Sequence, residues 1–108
     1  FTKRDLPLKK AYRSGNPGEV MAWAQYAIRL ESRDELRSFL SERDVPTSVF
    51  YPLPAYKQAI YQSYYPNEIN LSTSEKACNE VLCLPFFPDM QADQIEFVVE
   101  TISDFFGR

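Results

Sequence analysis

The sequence predicts an α+β domain, a small three-stranded sheet with helices on one face, in the order βαβ and then αβα. Three observations carry that prediction. Residues 24–30 alternate apolar and polar side chains and are followed at once by a helix-start signal. Residues 45–50 are β-branched and aromatic, and prolines close them off. Near the C-terminus, Ile95, Val98, Val99, Ile102 and Phe106 form an apolar stripe at helical spacing. With 108 residues, 44% of them hydrophobic and 25% charged, one folded domain is expected, burying roughly two-thirds of its unfolded surface.

The elements follow in order. Residues 1–22, with Pro7, Gly15, Pro17 and Gly18, show no period and read as an irregular arm, and residues 23–108 as the folded unit. In the first strand Tyr26, Ile28 and Leu30 face one side, and Gln25, Ala27 and Arg29 the other. Ser32 to Glu35 has the spacing of a capping box, with Leu36, Phe39 and Leu40 behind it on one helix face as far as about Glu42. A second strand spans Val45 to Phe50, with Pro46 restricting it to an edge or lying within its first residues. Tyr51-Pro52-Leu53-Pro54 ends it, because each proline removes an amide donor and keeps its predecessor extended.

A short helix is expected near Lys57 to Gln62, and a surface loop from Ser63 to Leu71. Ser72 to Glu75 is a second capping box, opening a helix that presents Ala77, Cys78 and Val81. Cys83 to Phe87, bounded by Pro88, is the third strand. Gly107 suits the stop of the last helix. Burying that helix's stripe contributes about 5–10 kcal/mol before entropy, at about 1.5–3 kcal/mol per large apolar side chain.

Composition narrows the chemistry. The net charge of −3 argues against a nucleic-acid groove, which needs clustered cations to displace counterions. The one basic cluster, Lys3-Arg4 with Lys9-Lys10 and Arg13, reads as a solvated arm. No run reaches the ~18 apolar residues that suggest a bilayer span. Two cysteines, Cys78 and Cys83, are too few for a disulfide framework or a zinc site, so reduced thiols in the cytoplasm are expected. Histidine is absent. That removes the commonest general base, every Ser-His or Cys-His nucleophile pair and the commonest metal ligand.

Tyr51, Tyr56, Gln58, Tyr61, Tyr64 and Tyr65 crowd the proline segment and the residues just after it. Tyrosine offers a flat ring for stacking and a hydroxyl for phosphate or sugar oxygens, and glutamine can both donate and accept. The same rings could instead cover the domain's own core or a subunit boundary. Glu31, Asp34 and Glu35 flank a helix start, where negative charge complements the dipole. Lys57 lacks the apolar surroundings of a Schiff-base lysine and reads as solvated. Trp23 reads as core or interface packing. The glycines Gly15, Gly18 and Gly107 lack the spacing of a phosphate-binding loop.

Several strings are more specific. Ala24-Gln25-Tyr26 with Ile28-Arg29, Arg33-Asp34-Glu35-Leu36 and Val45-Pro46-Thr47 occur in that order. Tyr51-Pro52-Leu53-Pro54 with Gln58, Ser74-Glu75-Lys76-Ala77, Val81-Leu82, Leu84-Pro85 and Asp93-Gln94-Ile95 with Val98, Val99 and Ile102 continue the series. Together, over about residues 23–104, they resemble the small C-terminal domain of the DegT-type sugar-nucleotide aminotransferases, whose pattern includes a motif like HYP-x-P-x-H-x-Q.

The resemblance implies a fold-type I enzyme that moves an amino group, usually from glutamate, onto a keto sugar nucleotide, with pyridoxal phosphate as electron sink. It implies that the cofactor is bound by a large domain absent from this chain, that the whole protein is a homodimer, and that this fragment alone is not catalytic. The chain opens on Phe1 rather than Met, in keeping with a piece of a longer protein. By resemblance the substrate-binding candidates are Tyr51 first, then Tyr56 and Gln58. Two positions depart from the family: Phe50 and Tyr56 stand where it often has histidine. Gln91 replaces the usual Ser or Thr cap of the last helix. The departures leave room for a non-transaminating relative, a pseudo-enzyme or dehydratase-like member, and the tyrosines for a stand-alone binding module.

Overall fold

Two short strands run antiparallel at the centre of the molecule. In the computed structural model, which describes residues 5–10, 16–20, 22–64 and 69–107, β1 (Tyr26–Arg29) pairs with β2 (Val81–Leu84). The register sets Tyr26 opposite Leu84 and Ile28 opposite Leu82, so these four side chains share one face. Helix α1 (Arg33–Ser41) follows β1. A 3₁₀ turn (Ala55–Lys57), α2 (Ala59–Gln62), α3 (Ser72–Glu80) and, after β2, α4 (Ala92–Gly107) complete the order.

The core lies between that sheet face and two helices. Ile28, Leu30, Leu82 and Leu84 meet Leu36 and Leu40 from α1 and Val98, Ile102 and Phe105 from α4, and Val45 closes the cluster. Ile28, Leu36, Leu40, Leu82 and Ile102 lose essentially all contact with water. Phe39 and Phe105 meet edge-on, with centroids 5.4 Å apart.

The third strand reduces to a single bridge. Ser48 exchanges both backbone hydrogen bonds with Cys83, at 3.1 and 2.8 Å, and the pairing extends no further. Pro46 and Pro52 stand within four residues of Ser48 on either side and carry no amide hydrogen, so a longer ladder has no donors at those positions. On the opposite edge Lys9 makes an equivalent bridge with Arg29, at 2.7 and 2.9 Å. Leu6 and Leu8 pack against the core. The arm is therefore irregular but docked over these residues, while Lys3, Arg4 and Arg13 of the basic cluster lie outside the described residues, as does Tyr65.

Other boundaries shift for local reasons. β2 begins at Val81 rather than Cys83 and ends before Pro85. Helix α1 ends where Asp44 turns left-handed at φ 59°; the Asp44 and Val45 amides donate to the carbonyls of Ser41 and Leu40, at 3.2 and 3.0 Å. Ser32 sits at the N-cap of α1 without a side-chain cap bond, so that expected capping box does not form. In α4 the buried stripe includes Phe105, with Phe106 only partly buried and Ile95 half exposed. Ile95 instead borders an apolar groove of about 360 Å³ with Tyr26, Leu84, Pro85, Phe86 and Met90.

Buried polar groups are matched. Glu80 accepts from Arg29 at 2.8 and 3.2 Å. Arg33, also buried, donates to the carbonyls of Cys78 (3.1 Å) and Val81 (2.9 Å) where α3 passes into β2. Among the described residues no buried side-chain polar atom lacks a partner.

Candidate functional site

The proline segment forms a projecting turn rather than a piece of sheet. Pro54 is buried, with φ −59° and ψ 147°, and starts the 3₁₀ turn. Gln58 then reverts to extended backbone (φ −67°, ψ 141°). Its amide closes the 3₁₀ turn on Ala55, and its carbonyl opens α2 by accepting from Tyr61 at 2.9 Å. The peptide bond between Phe50 and Tyr51 is cis.

The three sequence-predicted site residues occupy different environments on this turn. Tyr51 is 67% exposed, and its ring meets that of Phe50 edge-on at 5.4 Å. The Gln58 side chain is also exposed. Tyr56 is half-buried. Its hydroxyl donates to the Glu75 carboxylate on α3 and accepts from the Leu71 amide at 3.4 Å. The ring forms one wall of a cleft of about 350 Å³ between the turn and α3, with Pro54, Tyr61, Leu71, Ser74 and Cys78 on the other sides. The structure thus brings Tyr56 and Tyr61 to one cleft and leaves Tyr51 and Gln58 as outward-facing groups of the same turn.

Glu75 is the residue that sequence reasoning misassigns. The spacing Ser72-x-x-Glu75 suggests a side chain folded back onto its own helix start, but α3 has no side-chain cap. The Glu75 carboxylate reaches across to the turn, where it accepts from Tyr56 and pairs with Lys57 Nζ at 2.9 Å. These two donors hold the carboxyl below its usual range. The same contact raises Lys57. Partial burial, and then the bond to Glu75, raises the Tyr56 phenol. No signal short of the folded backbone brings positions 56, 57 and 75 together.

These residues do not fit a pyridoxal phosphate site of their own. The described lysines Lys9, Lys10, Lys57 and Lys76 are all exposed. Lys57, the one beside the tyrosines, is held in its charged form by Glu75, the opposite of what a Schiff-base nucleophile needs. The described glycines, Gly18 and Gly107, are far apart and form no phosphate cradle. Among the described residues no cluster of metal-binding side chains occurs, and no helix is long and apolar enough to cross a membrane. Cys78 is half-buried and Cys83 buried, and neither is in a disulfide. Burial pushes the Cys83 thiol up.

Comparison with known proteins places this geometry. Residues 4–103 match the DegT/DnrJ/EryC1/StrS aminotransferase family. The chain is 42% identical over 89 residues to a pleiotropic regulatory protein of Geobacillus stearothermophilus, covering 82% of this chain and 24% of that protein. It is 33% identical over 92 residues to the dTDP-3-amino-3,4,6-trideoxy-alpha-D-glucose transaminase of Streptomyces venezuelae, covering 85% of this chain and 24% of the relative. In structure it is similar to S. venezuelae DesV, solved in complex with a ketimine intermediate, with a TM-score of 0.84 and 28% identity over 95% of this chain and 27% of that one. The chain therefore spans about a quarter of the length of the relatives it matches.

Proposed function

This chain belongs to the DegT/DnrJ/EryC1/StrS aminotransferase family, and from that premise we propose that it is the C-terminal small domain of a sugar-nucleotide aminotransferase. The whole enzyme, a cytoplasmic homodimer, takes an amino group from glutamate and transfers it to a keto group on a nucleotide-linked sugar. Pyridoxal phosphate supplies the electron sink for that exchange and is held by the larger part of the protein. This chain's own residues bind and orient. The Tyr51 hydroxyl and the Gln58 amide, presented by a proline-stiffened turn, hydrogen-bond the sugar nucleotide, with Tyr56 behind them. The fragment alone performs no chemistry.

The observation that carries the reading is the structural likeness to DesV over 95% of this chain, at a TM-score of 0.84. The test is the product of the whole gene, incubated with pyridoxal phosphate, glutamate and a panel of keto sugar nucleotides. Formation of 2-oxoglutarate together with an amino sugar nucleotide is expected. No product from any sugar, with no lysine-bearing cofactor domain encoded ahead of Phe1, overturns the reading.

A second reading, a non-transaminating relative, draws on Phe50 and Tyr56, which stand where the family often has histidine, and on likeness to a relative named for regulation. It predicts a whole protein without aminotransferase turnover, and the same assay separates the two.

A further inference from the structure

We propose that Glu75 is a positioning residue for the substrate-facing turn, anchoring it through Tyr56 and Lys57. This role rests on the aminotransferase reading above. In residues 50–64 Pro54 alone is buried, so apolar packing does little to fix where Tyr51 and Gln58 point. Helix α3, by contrast, is joined to the core through Arg33, which bonds the Cys78 and Val81 carbonyls, and through Glu80, which takes the Arg29 guanidinium.

Glu75 transfers that rigidity. One carboxylate holds two consecutive side chains of the turn, the Tyr56 hydroxyl and the Lys57 ammonium. Two grips on adjacent residues, whose side chains leave the backbone in different directions, fix orientation as well as distance. The Leu71 amide, donating to the same Tyr56 oxygen, adds a third contact. Tyr56 is then mainly a strut: its polar atom is already engaged within the domain. Tyr51 and Gln58, on either side of it in sequence, remain to meet the ligand.

The experiment uses the whole gene product carrying Glu75→Ala, Glu75→Gln or Lys57→Met. Two quantities are read: the Michaelis constant for the keto sugar nucleotide, and backbone amide exchange across residues 50–64. Glu75→Ala should raise KM about tenfold while kcat changes less than about twofold, and should speed exchange in the turn about tenfold with the β1 and β2 amides unchanged. Glu75→Gln keeps an acceptor for Tyr56 and should restore part of the KM. Lys57→Met removes one grip and should shift KM by about threefold.

Faster exchange without a change in KM overturns the positioning role, as does an unchanged turn. A fall in kcat with general loss of protection would mark Glu75 as merely structural and overturn it too. An unmutated protein that transaminates no sugar refutes the aminotransferase reading and removes the role with it. That failure is visible before any variant is compared.

Discussion

The sheet–helix layer and the turn at residues 50–64 are held by different forces. In the layer, side chains from β1, α1, β2 and α4 exclude water from one contiguous cluster, which gives a large, non-directional and largely pH-independent stabilisation. In the turn, order depends on two prolines and on a few polar contacts converging on Glu75. Such a segment opens locally at a cost well below that of global unfolding. The molecule thus joins a rigid platform to a presenting segment whose geometry can change without unfolding the platform.

The largest test of that division is Ile102→Ala. Ile102 is completely buried between α4 and the sheet, and its truncation should cost about 3–5 kcal/mol in urea unfolding of the whole protein. If the two regions are energetically separate, turn exchange at low denaturant stays unchanged. Next is Tyr51→Phe. Because Tyr51 is largely exposed, the melting temperature should not move, whereas KM for the sugar nucleotide should rise about tenfold, one hydrogen bond at about 1.4 kcal/mol. Unchanged kinetic constants would remove Tyr51 from the site.

A smaller effect is expected at the start of α4. The Gln91 amide already donates to the Gln94 side chain at 2.9 Å, but the Gln94 amide donates to Asp93 Oδ1 at 3.0 Å, while the Gln91 side chain turns away to donate to the Asp89 carbonyl at 2.7 Å. Gln91→Ser should add about 0.5–1 kcal/mol of stability by the same urea measurement, with no change in the turn.

The smallest effect is a plateau with pH. Glu75 lies below its usual 4.5, so its contribution is complete above 4.5 and is lost only as pH falls through its lowered value. Tyr56 and Lys57 lie above their usual 10.0 and 10.5, so theirs persist until pH climbs past those raised values. Exchange of the turn, corrected for intrinsic rate, should therefore stay flat between pH 4.5 and 10.0. A transition inside that window would show that a different group holds it.

The same division explains what can be read without coordinates. The alternation at Tyr26, Ile28 and Leu30 and the helical spacing of Val98 and Ile102 reflect burial, which leaves a period in the chain. Misreadings arise where a local signal meets a non-local competitor. The β-branched residues around Ser48 suggest a strand, but Pro46 removes the donor on one side and the pairing stops at one bridge. Helical spacing admits both Phe105 and Phe106 after Ile102, at i+3 and i+4; Phe105 is the more buried and meets Phe39 on α1 edge-on, while Phe106 packs against the core partly buried. At the site, family likeness singles out Tyr51, Tyr56 and Gln58, and only tertiary structure distinguishes the engaged hydroxyl of Tyr56 from the exposed side chains of Tyr51 and Gln58.

The bridges flanking the two strands have a consequence for solubility. A two-stranded ribbon would ordinarily show a row of unsatisfied amides and carbonyls along each rim, a template for foreign chains. Here Lys9 occupies one rim and Ser48 the other, and each comes from an irregular stretch that cannot propagate the ladder. The protein thus closes its smallest β-element with single-residue stoppers, and cutting away the segment around Lys9 should leave a species that self-associates edge to edge.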